Sequence, residues 1–201
     1  MSSVEPTDDS LAARVKAGDA EAFAILVERH RAGLVRLASL LIGDLDEAES
    51  IAQEAITRAL AGIDGYDPQT PFLAWIRGIV LNLARQHQRR LRRHAVVTDP
   101  SLLASAPGKQ GRRQGVLSAI LRDELASRLW LAVGQLPESY REAVVLHYVE
   151  GMDYSQISQI TGVSAGALRV RALRGRNLLR GQLGPVVDTW LNATPEIEDK
   201  L

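Results

Sequence analysis

Apolar residues recur at every third or fourth position along most of the chain, a spacing that an α-helix places on one face. One such stripe contains Phe23, Leu26, Leu34, Leu37 and Leu41. Val, Ile and Tyr do not alternate with polar residues over long runs, and aromatic side chains make up only 4% of the sequence. Alternation and aromatic enrichment are typical of sandwiches and barrels. The sequence therefore predicts an all-α fold.

Capping residues and glycines divide the first half of the chain into helices. A short helix is expected around residues 11–16. Of three longer helices, the first is expected to begin at Asp19 and to end near Gly43. The second should begin at a capping box of Asp46 with Glu49 and end near Gly62. The third should begin at Thr70, followed by a first-turn Pro71, and end near Arg93. The packed face predicted for the last of them consists of Phe72, Ile76, Ile79, Val80, Leu83, His87 and Leu91.

The second half predicts four more helices, at about residues 118–134, 137–150, 153–161 and 164–183. Between the halves, residues 95–117 contain Pro and Gly without helical periodicity, which is typical of a linker. We therefore expect two small helical domains, residues 1–94 and 118–184, joined by a flexible linker of residues 95–117. Residues 185–201 form a C-terminal tail.

Several classes of protein are excluded by what the sequence lacks. It has no cysteine, so disulfide frameworks and thiolate metal sites are ruled out. No apolar run approaches the eighteen or so residues of a membrane span, and the first residues lack the apolar core of a signal peptide. No acid or second histidine lies at ligand spacing from His87 or His94, and no Gly-rich phosphate loop is present. We expect a soluble cytoplasmic protein without a metal, a cofactor or catalytic residues.

The formal net charge is zero, but the charges are segregated along the chain. Residues 1–70 carry a net charge of −7, residues 71–117 of +8, residues 118–160 of −3 and residues 161–184 of +5. Charge in blocks more often indicates separate partners than an even distribution does. The basic blocks favour nucleic acid and the acidic ones a basic protein surface. Each block taken alone is also compatible with a solvated face.

The second basic block has the proportions of a helix-turn-helix. A short helix at residues 153–161, capped by Asp153 with Gln156, precedes a tight turn at residues 162–164 and a second helix. The small core between the helices is predicted to contain Ile157, Ile160, Val163 and Leu168.

At 100° per residue, the two sides of the second helix separate cleanly. The inner side holds Leu168, Ala172, Gly175, Leu179 and Leu183, the outer side Gly166, Val170, Leu173, Arg174 and Asn177, and the flanks Arg169, Arg171, Arg176 and Arg180. Five arginines without an acid suit a helix in a DNA major groove, where central side chains read bases and flanking ones contact phosphates. The alternative is a solvated basic helix.

The first basic block places an aromatic side chain on a polar stripe. Trp75 lies above Asn82, Gln86, Arg89 and Arg93 if the helix is continuous. An aromatic ring beside arginines suits stacking on unpaired bases. The alternative is a half-buried tryptophan covered by a neighbouring loop.

The acidic helix of the first half carries Asp46, Glu47, Glu49, Gln53 and Glu54 outside its apolar stripe. Acids in the first turn are expected for capping and for the helix dipole, but Gln53 and Glu54 lie beyond it. A basic groove on a partner protein is the expected recipient, and a solvated face is the alternative.

Three stretches, taken together and in order, resemble a known family. They read GDLDEAESIAQEAITRAL, FLAWIRGIVLNLARQHQRRLRR and LPESYREAVVLHYVEGMDYSQISQITGVSAGALRVRALRGRNLLRGQL. They are similar to parts of the extracytoplasmic-function (ECF) sigma factors of bacterial RNA polymerase. The first resembles the clamp-binding helix of region 2, the second the region 2 helix that melts and reads the minus-ten promoter element, and the third the whole of region 4, which reads the minus-thirty-five element.

The resemblance implies a promoter-specificity factor that binds core RNA polymerase and promoter DNA, usually under the control of an anti-sigma factor. It implies no membrane, small-molecule substrate or cofactor, and no catalytic residues. The expected polymerase-binding residues are Asp46, Glu47, Glu49, Gln53 and Glu54. The expected minus-ten residues are Phe72, Trp75, Asn82, Arg85, Gln86, Arg89 and Arg93. The expected minus-thirty-five residues are Ser164, Arg169, Val170, Arg171, Leu173, Arg174 and Arg176.

By the same resemblance, residues 67–71 with Phe72 form a pocket for a flipped base, and Asn82 supplies a hydrogen bond. The chain departs from the family pattern at Ser50, where Asp is frequent, at Val170, where a hydroxyl is common, and at Gly175, where Ala is usual. A different possibility is a regulator that binds duplex DNA through its helix-turn-helix and does not need polymerase. It leaves the acidic helix and Trp75 unexplained.

Overall fold

The computed structural model describes the backbone of residues 5–98, 124–185 and 187, and the side chains of residues 5–93, 128–185 and 187. These residues form eight α-helices, with no strand among them, which confirms the all-α prediction. The helices are α1 (Asp8–Lys16), α2 (Ala20–Ile42), α3 (Leu45–Ala61), α4 (Phe72–Thr98), α5 (Glu124–Gln135), α6 (Glu138–Val144), α7 (Tyr154–Thr161) and α8 (Ala165–Leu183). A short 3-10 turn (Ile63–Gly65) follows α3, and a π turn (Val145–Val149) extends α6.

Helices α1–α4 form the first half and pack around an apolar core that includes Leu11, Leu26, Leu37 and Val80. Helix α2 begins as predicted, because Asp19 accepts hydrogen bonds from the first amides of the helix. It ends at Gly43, whose φ of 78° lies in the left-handed region that favours glycine. The face that α3 buries consists mostly of small residues, namely Ala48, Ile51, Ala52, Ala55 and Ala59.

The start of α3 differs from the prediction. Its N-cap is Asp44, whose side chain accepts a hydrogen bond from the amide of Glu47 at 3.2 Å. Asp46 lies inside the first turn and forms no cap with Glu49, so the predicted capping box is wrong. Asp46 and Glu49 lie within four residues of the helix start, where capping residues are found. The residue with the extended backbone that a cap requires is, however, Asp44.

Both ends of α4 also differ from the prediction. The helix begins at Phe72. The amide of Phe72 donates a hydrogen bond to the side chain of Asp9 in α1, and not to that of Thr70. At the other end it continues to Thr98, beyond the predicted Arg93. Leu91, expected on the packed face, is 53% exposed. The reason is length, since Gln88 already contacts the carbonyl of Leu41 at the end of α2 and the helix then runs past the bundle.

Helices α5–α8 form the second half. The predicted single helix of residues 137–150 is divided into α6 and the π turn, in which the amide of Glu150 donates to the carbonyl of Val145. The helix-turn-helix is confirmed in its details. Asp153 and Gln156 form the predicted capping box, and Gly162, with φ of 70°, ends α7 in the left-handed region. Of the predicted small core, Ile157 and Leu168 are fully buried, whereas Ile160 and Val163 are partly buried.

Some predictions fall outside the described residues. They concern residues 99–117 of the linker, the start of the helix expected at 118–134, and the tail from residue 188 onward. Among the described helices, none combines the length and the apolarity that crossing a bilayer requires.

Candidate nucleic-acid interface

A groove of about 450 Å³ runs along the polar side of α4. Asn82, Gln86 and Arg89 lie exposed along it, one helical turn apart, as the 3–4 spacing predicted. Arg58 of α3 and Gly62 close the other side. The groove is therefore lined by the amides of Asn82 and Gln86 and by three guanidinium groups, those of Arg58, Arg85 and Arg89, a set that can hydrogen-bond both bases and phosphates.

Trp75 lies at the upper end of this groove and is half-buried. Its ring packs against Tyr66, with centroids 5.1 Å apart, and against Phe72, with centroids 5.8 Å apart. Gly62 lies beside the indole, since a Cβ atom at this position would be 3.9 Å from the Trp75 ring, an ordinary van der Waals contact. The ring is thus fixed from behind by two aromatic side chains while it also lines the groove.

The opposite side of α4 is covered by the second half of the molecule. Gly78 permits this contact, because a Cβ atom there would lie 3.2 Å from Cβ of Ile160 in α7. Arg141 of α6 donates a hydrogen bond of 2.6 Å to the carbonyl of Leu41 at the end of α2. The two halves therefore meet in a close-packed interface.

Three arginines of α4 form ion pairs with acids of the second half. Arg85 binds both carboxylate oxygens of Glu142 at 2.7 Å, a bidentate geometry. Arg77 lies 2.5 Å from a carboxylate oxygen of Glu150 and also donates to the carbonyl of that residue. The third pair joins Arg92 to Glu138. We call these three pairs the clasp.

The clasp is most deeply buried at the pair of Arg77 with Glu150. The Glu150 side chain is only 2% exposed, and its second carboxylate oxygen lies 3.6 Å from Arg36 of α2. Burial lowers the pKa of Arg77, although the charge of Glu150 opposes that effect. Hydrogen bonding to Glu142 raises the pKa of Arg85, which keeps this guanidinium charged.

Helix α8 presents the outer face that its sequence predicted. Val170 and Leu173 are 47% and 53% exposed, and Arg174 and Asn177 are exposed beside them. The inner residues Leu168, Ala172, Gly175 and Leu179 are buried and Leu183 is partly buried. On the flank, the Arg169 guanidinium lies 5.5 Å from the centre of the Tyr154 ring, a cation–π distance that ties α8 to α7.

Gly175 fixes how closely α8 approaches α6. A Cβ atom there would lie 2.6 Å from Cγ2 of Val144 and 3.4 Å from Tyr140. Real Cβ atoms do not approach other atoms so closely, so α8 could not keep this position with any larger residue.

The polar face of α3 is open. Asp46, Glu49, Gln53 and Glu54 are exposed, and Glu47 is half-buried beside His87, with 3.3 Å between Oε2 and Nδ1. Glu54 forms an i,i+4 ion pair with Arg58 at 2.7 Å. The face therefore presents a row of acids.

Comparison with known proteins identifies the family. The model of sigma-70 region 2 matches residues 26–94, and that of sigma-70 region 4 matches residues 126–179. The ECF RNA polymerase sigma factor SigW of Bacillus subtilis is 32% identical over 179 residues, which are 85% of this chain and 93% of SigW. The chain belongs to the ECF sigma factors.

Solved structures agree with this fold. CnrH, in complex with the cytosolic domain of CnrY, is 26% identical with a TM-score of 0.64 and covers 88% of this chain and 96% of its own. The sigma factor RpoE of Bartonella quintana, solved with the anti-sigma factor NepR, is 23% identical with a TM-score of 0.62, and covers 81% of this chain and 97% of its own.

The expected minus-ten residues of region 2 lie in different surroundings. Trp75, Asn82, Gln86 and Arg89 are brought together in the groove. Arg85 also lines it but is engaged by Glu142, and Arg93 is exposed beyond the residues that form it. Phe72 is 2% exposed and forms part of the aromatic cluster behind Trp75.

In region 4, the expected minus-thirty-five residues share one side of the domain. Ser164 caps α8, accepting a hydrogen bond from the amide of Ala167, and is exposed. Val170, Leu173 and Arg174 lie at the centre of the outer face. Arg169 is exposed and Arg171 and Arg176 are half-buried on its flanks.

Sequence reasoning missed Asp9, Tyr66, Glu142 and Glu150. A signal for the last two existed, because the acidic block of residues 118–160 lies between two basic blocks. Complementary charge between blocks of one chain predicts contact as well as separate partners. No local pattern distinguishes Asp9, whose contacts lie at least 57 positions away.

Proposed function

We propose that this ECF sigma factor binds core RNA polymerase and directs it to promoters, reading the minus-ten element with α4 and the minus-thirty-five element with α8, and opening the DNA. We assign the minus-ten and clamp functions to residues 1–94, the minus-thirty-five function to residues 118–184, and a connecting role to residues 95–117. The chain supplies no catalytic residues, because the bond-forming chemistry is that of polymerase.

The groove on α4 is the observation that carries this proposal. Phosphate contacts to a duplex need only cations and hydrogen-bonding groups, whereas an aromatic ring in a positively charged groove is typical of sites that bind single strands. Trp75 is such a ring, and it lies in line with Asn82, Gln86 and Arg89. Stacking on aromatic rings holds unpaired bases, so the groove suits a melted strand.

Strand opening follows from the same arrangement. A base that leaves the duplex enters the pocket of residues 67–71, where Phe72 supports Trp75 from behind and Asn82 donates or accepts a hydrogen bond. The binding free energy of the flipped base offsets the cost of unpairing it.

Helix α8 reads the duplex. Arg174, at the centre of its exposed face, suits the O6 and N7 acceptors of guanine, and Val170 and Leu173 suit a thymine methyl group. Ser164, Arg169, Arg171 and Arg176 lie around this centre and suit phosphates.

The acidic face of α3 binds the clamp of the largest polymerase subunit through Asp46, Glu47, Glu49, Gln53 and Glu54. Four of these side chains are exposed in a row, which a basic groove complements. We infer that an anti-sigma factor regulates the chain by covering these faces, which is supported by the fact that the similar CnrH was solved in complex with the cytosolic domain of CnrY.

Transcription in vitro with core polymerase on a library of randomised promoters tests the whole proposal. We expect enrichment of two spaced elements that depends on both proteins together. A transcription regulator that does not need polymerase would instead select an operator by itself, with the same sequence whether or not polymerase is present. That result would overturn the proposal.

The clamp contact has its own test. Gln53→Ala with Glu54→Lys should weaken core binding at least tenfold, because it replaces a favourable charge contact with repulsion. Glu28→Lys, on the exposed side of α2, makes a comparable change of charge elsewhere and should leave affinity nearly unchanged. Equal affinities for the two variants would remove α3 from the polymerase interface.

A further inference from the structure

Asp9 of α1 makes two contacts at the start of α4. Its Oδ1 accepts a hydrogen bond of 2.9 Å from the amide of Phe72, the first of the helix, and lies 3.0 Å from the Tyr66 hydroxyl. The first amides of a helix have no partner within the helix, and a carboxylate there is favoured by the helix dipole. Asp9 is thus a helix cap supplied from 63 positions away.

Tyr66 connects this cap to the loop and to Trp75. Its hydroxyl also lies 2.8 Å from the carbonyl oxygen of Thr70, inside the loop of residues 67–71. Its ring, 3% exposed, packs against both Phe72 and Trp75. Burial, and then the hydrogen bond and charge of Asp9, raise the pKa of Tyr66, so the phenol stays protonated and remains a donor.

Asp8, the acid next to Asp9, makes different contacts. Asp8 pairs with Arg29 at 2.6 Å and with His30 at 2.7 Å, both in α2. Asp8 therefore fixes α1 on the bundle, whereas Asp9 reaches from α1 to the loop and α4. Helix α1 lies before residue 26, where the match to region 2 begins.

We propose that Asp9 and Tyr66 are positioning residues for strand opening: they hold residues 67–71 and Trp75 in the geometry that captures an unpaired base. The inference rests on the proposed function of α4. Asp9 fixes the first turn of the helix that carries Trp75. Tyr66 fixes the loop on one side and the indole ring on the other. Neither residue touches DNA.

The test measures coupling between Asp9 and a DNA base. Holoenzyme is assembled with each variant on a promoter chosen from the transcription library, and an abasic site replaces each non-template position of the minus-ten element in turn. Permanganate footprinting then measures open complex. For the wild-type chain we expect one position at which the abasic site lowers opening about tenfold, the loss of one stacked base.

Asp9→Ala should lower opening on the intact promoter and reduce the abasic penalty to less than about twofold, because the pocket no longer holds the base. Asp9→Asn keeps an oxygen acceptor for the Phe72 amide and should retain most of the penalty. Asp8→Ala is the matched control: it loosens α1 on α2 and should keep the full penalty at that position even if total opening falls.

The outcomes separate this inference from the proposed function. If the wild-type chain shows no sensitive position, base capture by α4 is wrong, and the role of Asp9 falls with it. If the wild-type chain shows one and Asp9→Ala keeps the same penalty, only the positioning role is overturned. Should Asp9→Ala not fold, Tyr66→Phe decides, since it keeps the ring and removes the hydroxyl. We expect it to reduce the penalty at least threefold, and an unchanged penalty would overturn the inference.

Discussion

Helices α4 and α8 are both basic, but they present their charge in different surroundings. On α4 three arginines are engaged by acids of the other half, and Asn82, Gln86 and Arg89 lie along a groove that begins at Trp75. On α8 the outer face carries no aromatic side chain and is centred on exposed Val170, Leu173 and Arg174. Positive charge alone therefore does not define the task of either helix.

The two helices differ in the side chains that lie beside their arginines. A ring with arginines beside it favours a strand whose bases are free to stack, and aliphatic side chains beside an arginine favour the edges of paired bases. The clasp adds a second difference. A DNA contact by Arg85 requires its bidentate pair with Glu142 to open, whereas Arg174 lies on an exposed face. If α4 binds DNA as proposed, the intact pair of Arg85 with Glu142 should weaken that binding, and among the described residues no such pair covers Arg174 on the exposed face of α8.

The largest effect is expected from Trp75→Ala. Losing the stacking platform costs about 1–3 kcal/mol, so opening on a duplex promoter should fall roughly 5- to 150-fold while closed complexes form almost normally. A template with a pre-melted bubble should restore much of the activity, because its bases are already unpaired. Permanganate footprinting on both templates measures the two steps.

Trp75→Phe is the control, since a phenyl ring still stacks on a base and still packs against Tyr66. The variants are compared below their melting temperatures because Trp75 also contributes to packing. If the bubble gives Trp75→Ala no more than the gain it gives the wild-type chain, α4 and α8 do not differ in the way proposed, and Trp75 is a core residue alone.

A smaller effect is expected from the arginines of α8. Arg174→Ala should cost about 1–2 kcal/mol and relax the preference at one base pair, since it removes a base-edge contact. Arg169→Ala should weaken all sequences alike, because a phosphate contact carries no sequence information. Selection on randomised minus-thirty-five elements distinguishes the two patterns. If both variants weaken binding to all sequences equally, another face of α8 enters the major groove of the DNA.

The position of α8 can be tested at Gly175. Gly175→Ala should lower the free energy of unfolding by about 1 kcal/mol, because overpacking against stiff, buried Val144 outweighs the gain in helix propensity. Gly181→Ala, where nothing lies within 4 Å of the added Cβ, should instead stabilise the protein slightly. Thermal denaturation of the two variants measures the difference. If both stabilise equally, the close approach of α6 and α8 does not constrain the position of α8.

The sequence predicted what depends on neighbours along the chain. The helix-turn-helix followed from Asp153, Gln156 and Gly162, and the faces of α8 followed from their period. The stripe of Trp75, Asn82, Gln86 and Arg89 on one side of α4 followed from their spacing, although Arg93, predicted with them, does not line the groove. Each of these depends on positions a few residues apart, at which helical geometry alone fixes the side chains.

What the sequence did not predict depends on distant contacts. The clasp joins residues 46 to 73 positions apart, and the cap of α4 comes from α1. The exposure of Leu91 depends on where α2 ends beside it. Periodicity shows which side of a helix is apolar, but not how long its neighbour is. Nor does it show that an acid in one half will meet an arginine in the other.

The smallest effect is expected at the clasp, and it bears directly on the second difference between α4 and α8. Glu142→Gln removes one charge of the bidentate pair and keeps the shape of the side chain. The free chain should then bind a single-stranded oligonucleotide of the selected minus-ten sequence about threefold more tightly, because more of the population has Arg85 available. Binding of a minus-thirty-five duplex should not change beyond the effect of net charge.

Glu28→Gln, which alters net charge equally on the exposed side of α2, provides that correction. Arg85→Ala in both backgrounds completes a double-mutant cycle, and the gain from Glu142→Gln should vanish when Arg85 is absent. Fluorescence anisotropy at one fixed salt concentration measures all the affinities, since DNA binding depends strongly on salt. Two results would contradict this prediction: an equal gain in affinity for Glu142→Gln and Glu28→Gln, or a gain from Glu142→Gln that persists when Arg85 is absent. In either case the clasp does not reduce DNA binding by α4, and α4 and α8 differ only in the chemistry of their faces.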